Sequence, residues 1–187
     1  MASLLLPIIY LAFISLGLPD ALLGAAWPTM YPQLGAQVSW AGGVSMIISA
    51  CTILSALASD RLNERLGTGR VTAISVATTA VALLGFSFCH AFWQLCLWAI
   101  PYGLGAGSVD AALNNYVALH YKSRHMSWLH CMWGVGASLG PVIMGQALAG
   151  SGWQGGYRII GILQVLLTVV LLFSLPLWQT PADAGAG

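Results

Sequence analysis

The amino-acid sequence predicts an all-α membrane protein of six transmembrane helices with both termini in the cytoplasm. Three observations carry that expectation. Hydrophobic residues fill 58% of the 187 positions and charged residues only 6%, whereas an ordinary soluble domain carries about 25% charged residues. Water cannot solvate a surface so poor in charge, so most of it must face lipid. Six apolar stretches approach the ~20 residues a helix needs to cross a bilayer. Five of the six Lys and Arg gather at one end of those stretches, and the positive-inside bias makes that end cytoplasmic.

The stretches run over 4–31, 40–58, 71–89, 92–119, 126–148 and 157–177. The fourth is weakly apolar in its second half, where Gly103, Gly105, Gly107, Asp110, Asn114 and Asn115 gather. That side is expected to turn away from lipid. Arg61, Arg65 and Arg70 lie between the second and third stretches, and Lys122 and Arg124 between the fourth and fifth. Arg158 alone lies at the opposite end. No charge precedes Asp20, so the first stretch lacks the basic region of a cleavable signal peptide and reads as a retained helix. One membrane domain is expected over 1–178, with 179–187 a short disordered cytoplasmic tail rich in Pro, Gly and Ala. The first and fourth stretches each carry one acid with Gly near it, which suggests two three-helix units. The expected location is the cell membrane, inner or plasma, as a multi-pass protein.

A net charge of +1 argues against nucleic acid as a partner. Cys51, Cys89, Cys96 and Cys131 form no CxxC pair and fall in or beside apolar runs, so they read as small packing residues. No metal and no cofactor is expected.

An acid within a membrane helix costs about 3 kcal/mol unless it is neutral, paired or wet. Asp20 follows Gly17-Leu18-Pro19, and Gly24, Trp27 and Pro28 follow it at i+4, i+7 and i+8, which places all four on one helix face. The set reads as a proton or solute site facing a water-filled cavity, or as a buried acid bonding a neighbouring helix. Pro19 and Pro28 loosen the backbone bonds nearby, which suits a helix that bends. Gly103, Gly107, Asp110 and Asn114 are likewise expected to share a face, with Asn115 beside them. A carboxylate and an amide one turn apart offer donors and acceptors suited to a hydroxyl-rich solute, and they serve equally as interhelical bonds. These glycines follow no predicted strand, so they are not a dinucleotide fingerprint.

In the fifth stretch, His130 reads as a solute ligand or proton relay, or as a satisfied packing residue. Trp133 reads as a stacking platform for an apolar sugar face or as packing, and Trp128 as an interface anchor. Gly136, Gly140 and Gly145, with Pro141, are expected to permit close helix contact. Between the second and third stretches, Asp60, Arg61, Glu64, Arg65 and Arg70 alternate in sign. They read as an orienting, solvated loop, or as a gate latch in which Asp60 caps a helix and pairs with arginines when the cytoplasmic side closes.

At these residues the chain resembles the N-terminal half of a major facilitator superfamily transporter, over about 5–178. The segment Ala56-Leu57-Ala58-Ser59-Asp60-Arg61 resembles that superfamily's loop signature, Gly-x-x-x-Asp-Arg/Lys-x-Gly-Arg-Arg. Ala56 stands in the first Gly position, Asn63 in the second, and the later bases fall at Arg65 and Arg70. The segment from Gly136 to Pro141 resembles the Gly-rich motif of the fifth helix, best known in antiporters. Within the superfamily the chain is most similar to the sugar–proton symporters of the fucose type, with Asp20 in their helix-one acid position and Asp110 and Asn114 in their helix-four stretch.

The resemblance implies a secondary transporter rather than an enzyme, moving a small polar solute such as a sugar by alternating access coupled to protons. Asp20, Asp110, Asn114, Asn115, His130, Trp133 and Trp27 would line the cavity, and Asp60, Arg61, Arg65 and Arg70 would form the cytoplasmic gate. Family members have about twelve helices and this sequence has six. A parallel homodimer is therefore expected, with a different partner half, or a non-transporting accessory role, as the alternatives. An intramembrane enzyme built on Asp110 and His130 is set aside, because no nucleophile or metal-ligand set accompanies them.

Overall fold

A computed structural model describes residues 4–178. The expected tail at 179–187 lies outside the described residues. Backbone N–H and C=O groups find no partners in hydrocarbon, so a chain this apolar satisfies them within helices. Those helices are α1 (Leu5–Gly17), α2 (Leu22–Gln33), α3 (Trp40–Leu66), α4 (Thr68–Ser87), α5 (Phe92–His120), α6 (Ser123–Ala149) and α7 (Gly152–Phe173). A 3-10 turn at Leu175–Leu177 follows. The first two are halves of one membrane span, Leu5–Gln33, interrupted just before and at Asp20. Pro19, which has no N–H, sits in that interruption. Five of the resulting six spans are long and apolar enough to cross a membrane. The sixth is α5, whose 29 residues include the Gly, Asp and Asn noted above.

The second span runs further than the sequence suggested. From Val44 to Leu66 there is neither Gly nor Pro to end it, and Arg61, Leu62, Glu64 and Arg65 are good helix formers. The helix stops only at Gly67, a single-residue connection to α4 at φ +84°. The expected charged loop is therefore helical. Asp60, Arg61, Glu64 and Arg65 occupy the last turns of α3 and Arg70 the first turn of α4, so Asp60 caps neither helix.

The spans pair as 1 with 5, 2 with 4, 3 with 6 and 3 with 4. Exchanging the first three spans with the last three turns the pair 1–5 into 4–2 and leaves 3–6 unchanged. These three pairings carry the symmetry of two three-helix units, while the pair 3–4 maps onto 6–1, which is not a main pairing. Small residues set the closest crossings. A Cβ on Gly17 would collide with the Trp133 carbonyl, one on Gly136 with the Ile14 carbonyl, and one on Gly140 with the Leu18 carbonyl. Gly103 and Gly107 are pressed against Ile48, Thr52 and Ser55 of α3 in the same way. Gly145, expected to make a similar contact, has nothing within 4 Å of that position.

Buried side chains form two layers. Leu22, Trp27, Phe86, Leu95, Trp153 and Tyr157 lie in one, and Leu5, Phe13, Leu113, Tyr116, Leu129 and Leu171 in the other. The α1–α2 interruption passes from the second layer, at Leu16, to the first, at Leu18 and Leu22. Asp20 therefore sits near the boundary between the two. Spans 2 and 5 bury few residues: Val44, Cys51, Ser55, Ser59 and Asn63 on α3, and Leu129, Gly136, Gly140, Met144 and Ala147 on α6. These two helices flank the open side of the bundle.

Candidate functional site

The site begins at the interrupted span. Asp20 is presented by residues that are not regular helix, and its two carboxylate oxygens are held separately. Tyr102 Oη on α5 donates to Oδ1 at 3.1 Å, and Trp133 Nε1 on α6 donates to Oδ2 at 2.9 Å. The tyrosine is buried and packs on Phe86, with ring centroids 6.2 Å apart. The tryptophan is 40% exposed, so one side of its indole remains open beside the acid.

Asp20, Asp110, His130 and Trp133 line one cavity of about 290 Å³, walled also by Phe13, Leu16, Ile48, Thr52, Tyr102 and Ala106. Tyr102, Ala106 and Asp110 follow one another at i+4, so they form a single stripe on α5. Asn114 continues the stripe. Its Nδ2 donates to Asp110 Oδ1 at 3.0 Å and to the Asp110 carbonyl at 2.8 Å. His130 sets its ring edge against Phe13, with centroids 6.3 Å apart, on the same cavity wall. A second cavity of about 190 Å³ adjoins the first and is lined in part by Ser45, Ser49 and Tyr157. Asp20, Ile48 and Tyr102 line both cavities, so Asp20 can be reached from either.

Other residues read from the sequence lie elsewhere. Trp27 was expected to share a face with Asp20, but Asp20 and Ala21 lie outside regular helix and α2 begins only at Leu22, so helical register is not continuous between them. It is only 5% exposed, its Nε1 donates to the Val38 carbonyl at 2.7 Å, and its ring packs on Tyr31 and Phe92. Gly103 and Gly107 pack against α3, where Ile48 and Thr52 also line the cavity of Asp110. Asn115 is exposed and lines neither cavity. Asp60, Arg61, Arg65 and Arg70 are exposed at the helix ends that carry the basic residues, away from the cavities. Trp128 is 57% exposed in the first turns of α6.

Sequence reasoning missed Tyr102. Its spacing of eight residues from Asp110 was available as a signal, as was the need of a buried tyrosine hydroxyl for a partner.

The family model of the Major Facilitator Superfamily matches residues 9–186. The chain belongs to that superfamily. A comparison with curated proteins finds none that matches. As a Major Facilitator Superfamily chain this is a multi-pass membrane transporter, and its ligand is a small-molecule solute handled within the bilayer. Secondary transporters of this architecture bind solute near the bilayer midplane between repeats. The superfamily also makes sense of the open side, since its six-helix units work in pairs around a shared cavity.

Chemically, the site offers one carboxylate with two donors, a second carboxylate with an amide, an imidazole and an indole face. It is an acceptor-rich surface with an aromatic wall, able to receive hydrogen-bond donors of a small molecule.

Proposed function

We propose that this chain forms one wall of a proton-linked carrier for a small hydroxyl-rich solute such as a sugar. The observation that carries the reading is the Asp20 carboxylate, held by Tyr102 and Trp133 at a cavity it shares with Asp110 and His130. An unpaired acid at this depth is costly. One with two neutral donors and access to cavities on two sides is placed to gain and lose a proton.

The donors differ in what they tolerate. An indole N–H can only donate, so Oδ2 must stay an acceptor. A tyrosine hydroxyl can turn and accept, so the proton goes onto Oδ1 while Tyr102 reverses its bond. Protonation then costs one rearranged hydrogen bond rather than two. The freed Tyr102 proton turns toward the cavity, where a solute hydroxyl can accept it. Asp110 and Asn114 receive the other side of the solute, and the open face of Trp133 stacks on its C–H surface.

The partner proposed for the open wall is a second copy of the chain in the same orientation. The bias of five basic residues to one end favours one orientation, and the internal pairing symmetry suits two such units rocking about an axis along the membrane normal. Asp60, Arg61, Arg65 and Arg70, exposed where the two units would meet, are proposed as the contacts that close the cytoplasmic side. A different six-helix half in place of the second copy is distinguished by cross-linking. A homodimer yields a product of twice the chain mass from purified protein, and monomer alone in mild detergent defeats it.

The functional test is uptake of labelled hexoses, fucose included, into vesicles holding this chain, with and without an inward proton gradient. Gradient-driven accumulation supports the reading. Folded protein that moves no solute opposes a self-sufficient carrier and points to a missing partner half or an accessory role.

A further inference from the structure

The interruption in the first span leaves a carbonyl without its helical partner, and a side chain from the last span supplies one. In an uninterrupted helix the Ser15 carbonyl would accept from the N–H of residue 19. That residue is Pro19, which has none. The neighbouring bonds step around the gap: the Leu18 N–H reaches the Ile14 carbonyl at 3.1 Å, and the Asp20 N–H falls back to the Gly17 carbonyl at 3.2 Å. The Ser15 carbonyl is instead met by Nε2 of Gln164, from the middle of α7.

Gln164 is 2% exposed, and a primary amide so deep in a membrane protein is costly unless both its ends are used. Its Oε1 lies 3.2 Å from Thr79 Oγ1 on α4, a hydroxyl that also reaches the Val76 carbonyl at 2.7 Å. The amide cannot be turned over, because Oε1 would then face the Ser15 carbonyl, acceptor against acceptor. We propose that Gln164 is a positioning residue that holds the break at Pro19 and thereby aims the Asp20 carboxylate at Tyr102 and Trp133.

The reach is short. Ser15 and Asp20 are five residues apart, so movement at the carbonyl passes directly to the acid. The break is then held from three directions, α7 through Gln164, α5 through Tyr102 and α6 through Trp133, with Thr79 of α4 beside the glutamine amide. Only the first of these bonds replaces a backbone partner that the sequence itself removed. The role given to Asp20 rests on the transport reading above; the clamp does not.

The test compares wild type with Gln164→Leu, Pro19→Ala and the double variant. Pro19→Ala restores the missing N–H, so it makes the glutamine dispensable for the backbone. Adding Gln164→Leu to the wild-type chain is expected to lower the melting temperature by about 4 °C or more. Adding it to the Pro19→Ala variant is expected to leave that variant's melting temperature nearly unchanged. Equal losses in both backgrounds overturn the clamp.

The positioning role is read from the carboxyl infrared band of Asp20, assigned by its disappearance in Asp20→Asn. In Gln164→Leu that band is expected to move as it does in Trp133→Phe. Should Gln164→Leu not fold, Gln164→Asn, whose amide is one methylene shorter and falls short of the Ser15 carbonyl, supplies the same measurement with Pro19 in place. A folded glutamine variant whose Asp20 band matches wild type overturns the positioning role. Neither readout needs a transported solute, so a wild-type protein that moves none counts against the transport reading alone.

Discussion

Trp133 Nε1 donates to Asp20 Oδ2 at 2.9 Å, tying α6 to the break between α1 and α2. This bond crosses the same helix pair whose backbones are brought together at Gly17, Gly136 and Gly140. Three glycines therefore set the distance at which one tryptophan can reach the acid.

Trp133→Phe keeps the aromatic wall and removes the donor. A hydrogen bond to a charged group contributes about 1.5–3 kcal/mol, so uptake at low solute concentration is expected to fall roughly tenfold or more. Initial-rate uptake into vesicles checks it, and a rate within twofold of wild type would show that the indole N–H is idle.

Tyr102→Phe leaves the buried ring and deletes the group that reverses on protonation. Solute exchange at equal concentrations is expected to continue, while accumulation driven by a proton gradient is lost. Counterflow and gradient-driven uptake, measured side by side, separate the two. Equal loss of both would make Tyr102 a solute ligand with no part in proton coupling.

Gly136→Ala and Gly145→Ala differ by one methyl in the same helix and are expected to part company. At Gly136 the new Cβ meets the Ile14 carbonyl, and overpacking costs about 1–3 kcal/mol. At Gly145 it meets nothing within 4 Å, so replacing a helical glycine there is expected to be neutral or stabilising by up to about 1 kcal/mol. Melting temperature in detergent reads both.

Asp60→Asn is expected to slow turnover while leaving solute affinity near wild type, because Asp60 is exposed near the end of α3 that carries the basic residues and lines neither cavity. Equilibrium binding alongside transport rate tests this, and a matching loss of affinity would remove Asp60 from the proposed gate.

The spans were legible because lipid imposes length and apolarity on most of them. Asp20 and Asp110 were legible as site candidates for a related reason: an acid among Leu, Ala and Gly stands out. What the sequence hid is set by register. Counting helical turns from Asp20 put Trp27 beside it, yet the chain is not helical at Asp20 and Ala21, and Trp27 turns to Val38. The α3 helix outran its apolar stretch because its charged end, from Asp60 to Arg65, is composed of residues that tolerate helix and water alike. Tyr102 and Gln164 were hidden by their partners, since a hydroxyl or amide within an apolar run shows its purpose only when the opposing helix is known.

The most direct measurement is proton-gradient-driven uptake of labelled hexose by wild type, Asp20→Asn and Asp110→Asn in vesicles at matched protein orientation and content. The account predicts accumulation by wild type, and loss of gradient-driven accumulation by at least tenfold in Asp20→Asn and in Asp110→Asn. Undiminished proton-driven uptake in both variants would contradict it, because the two acids would then line the cavity without coupling it to protons.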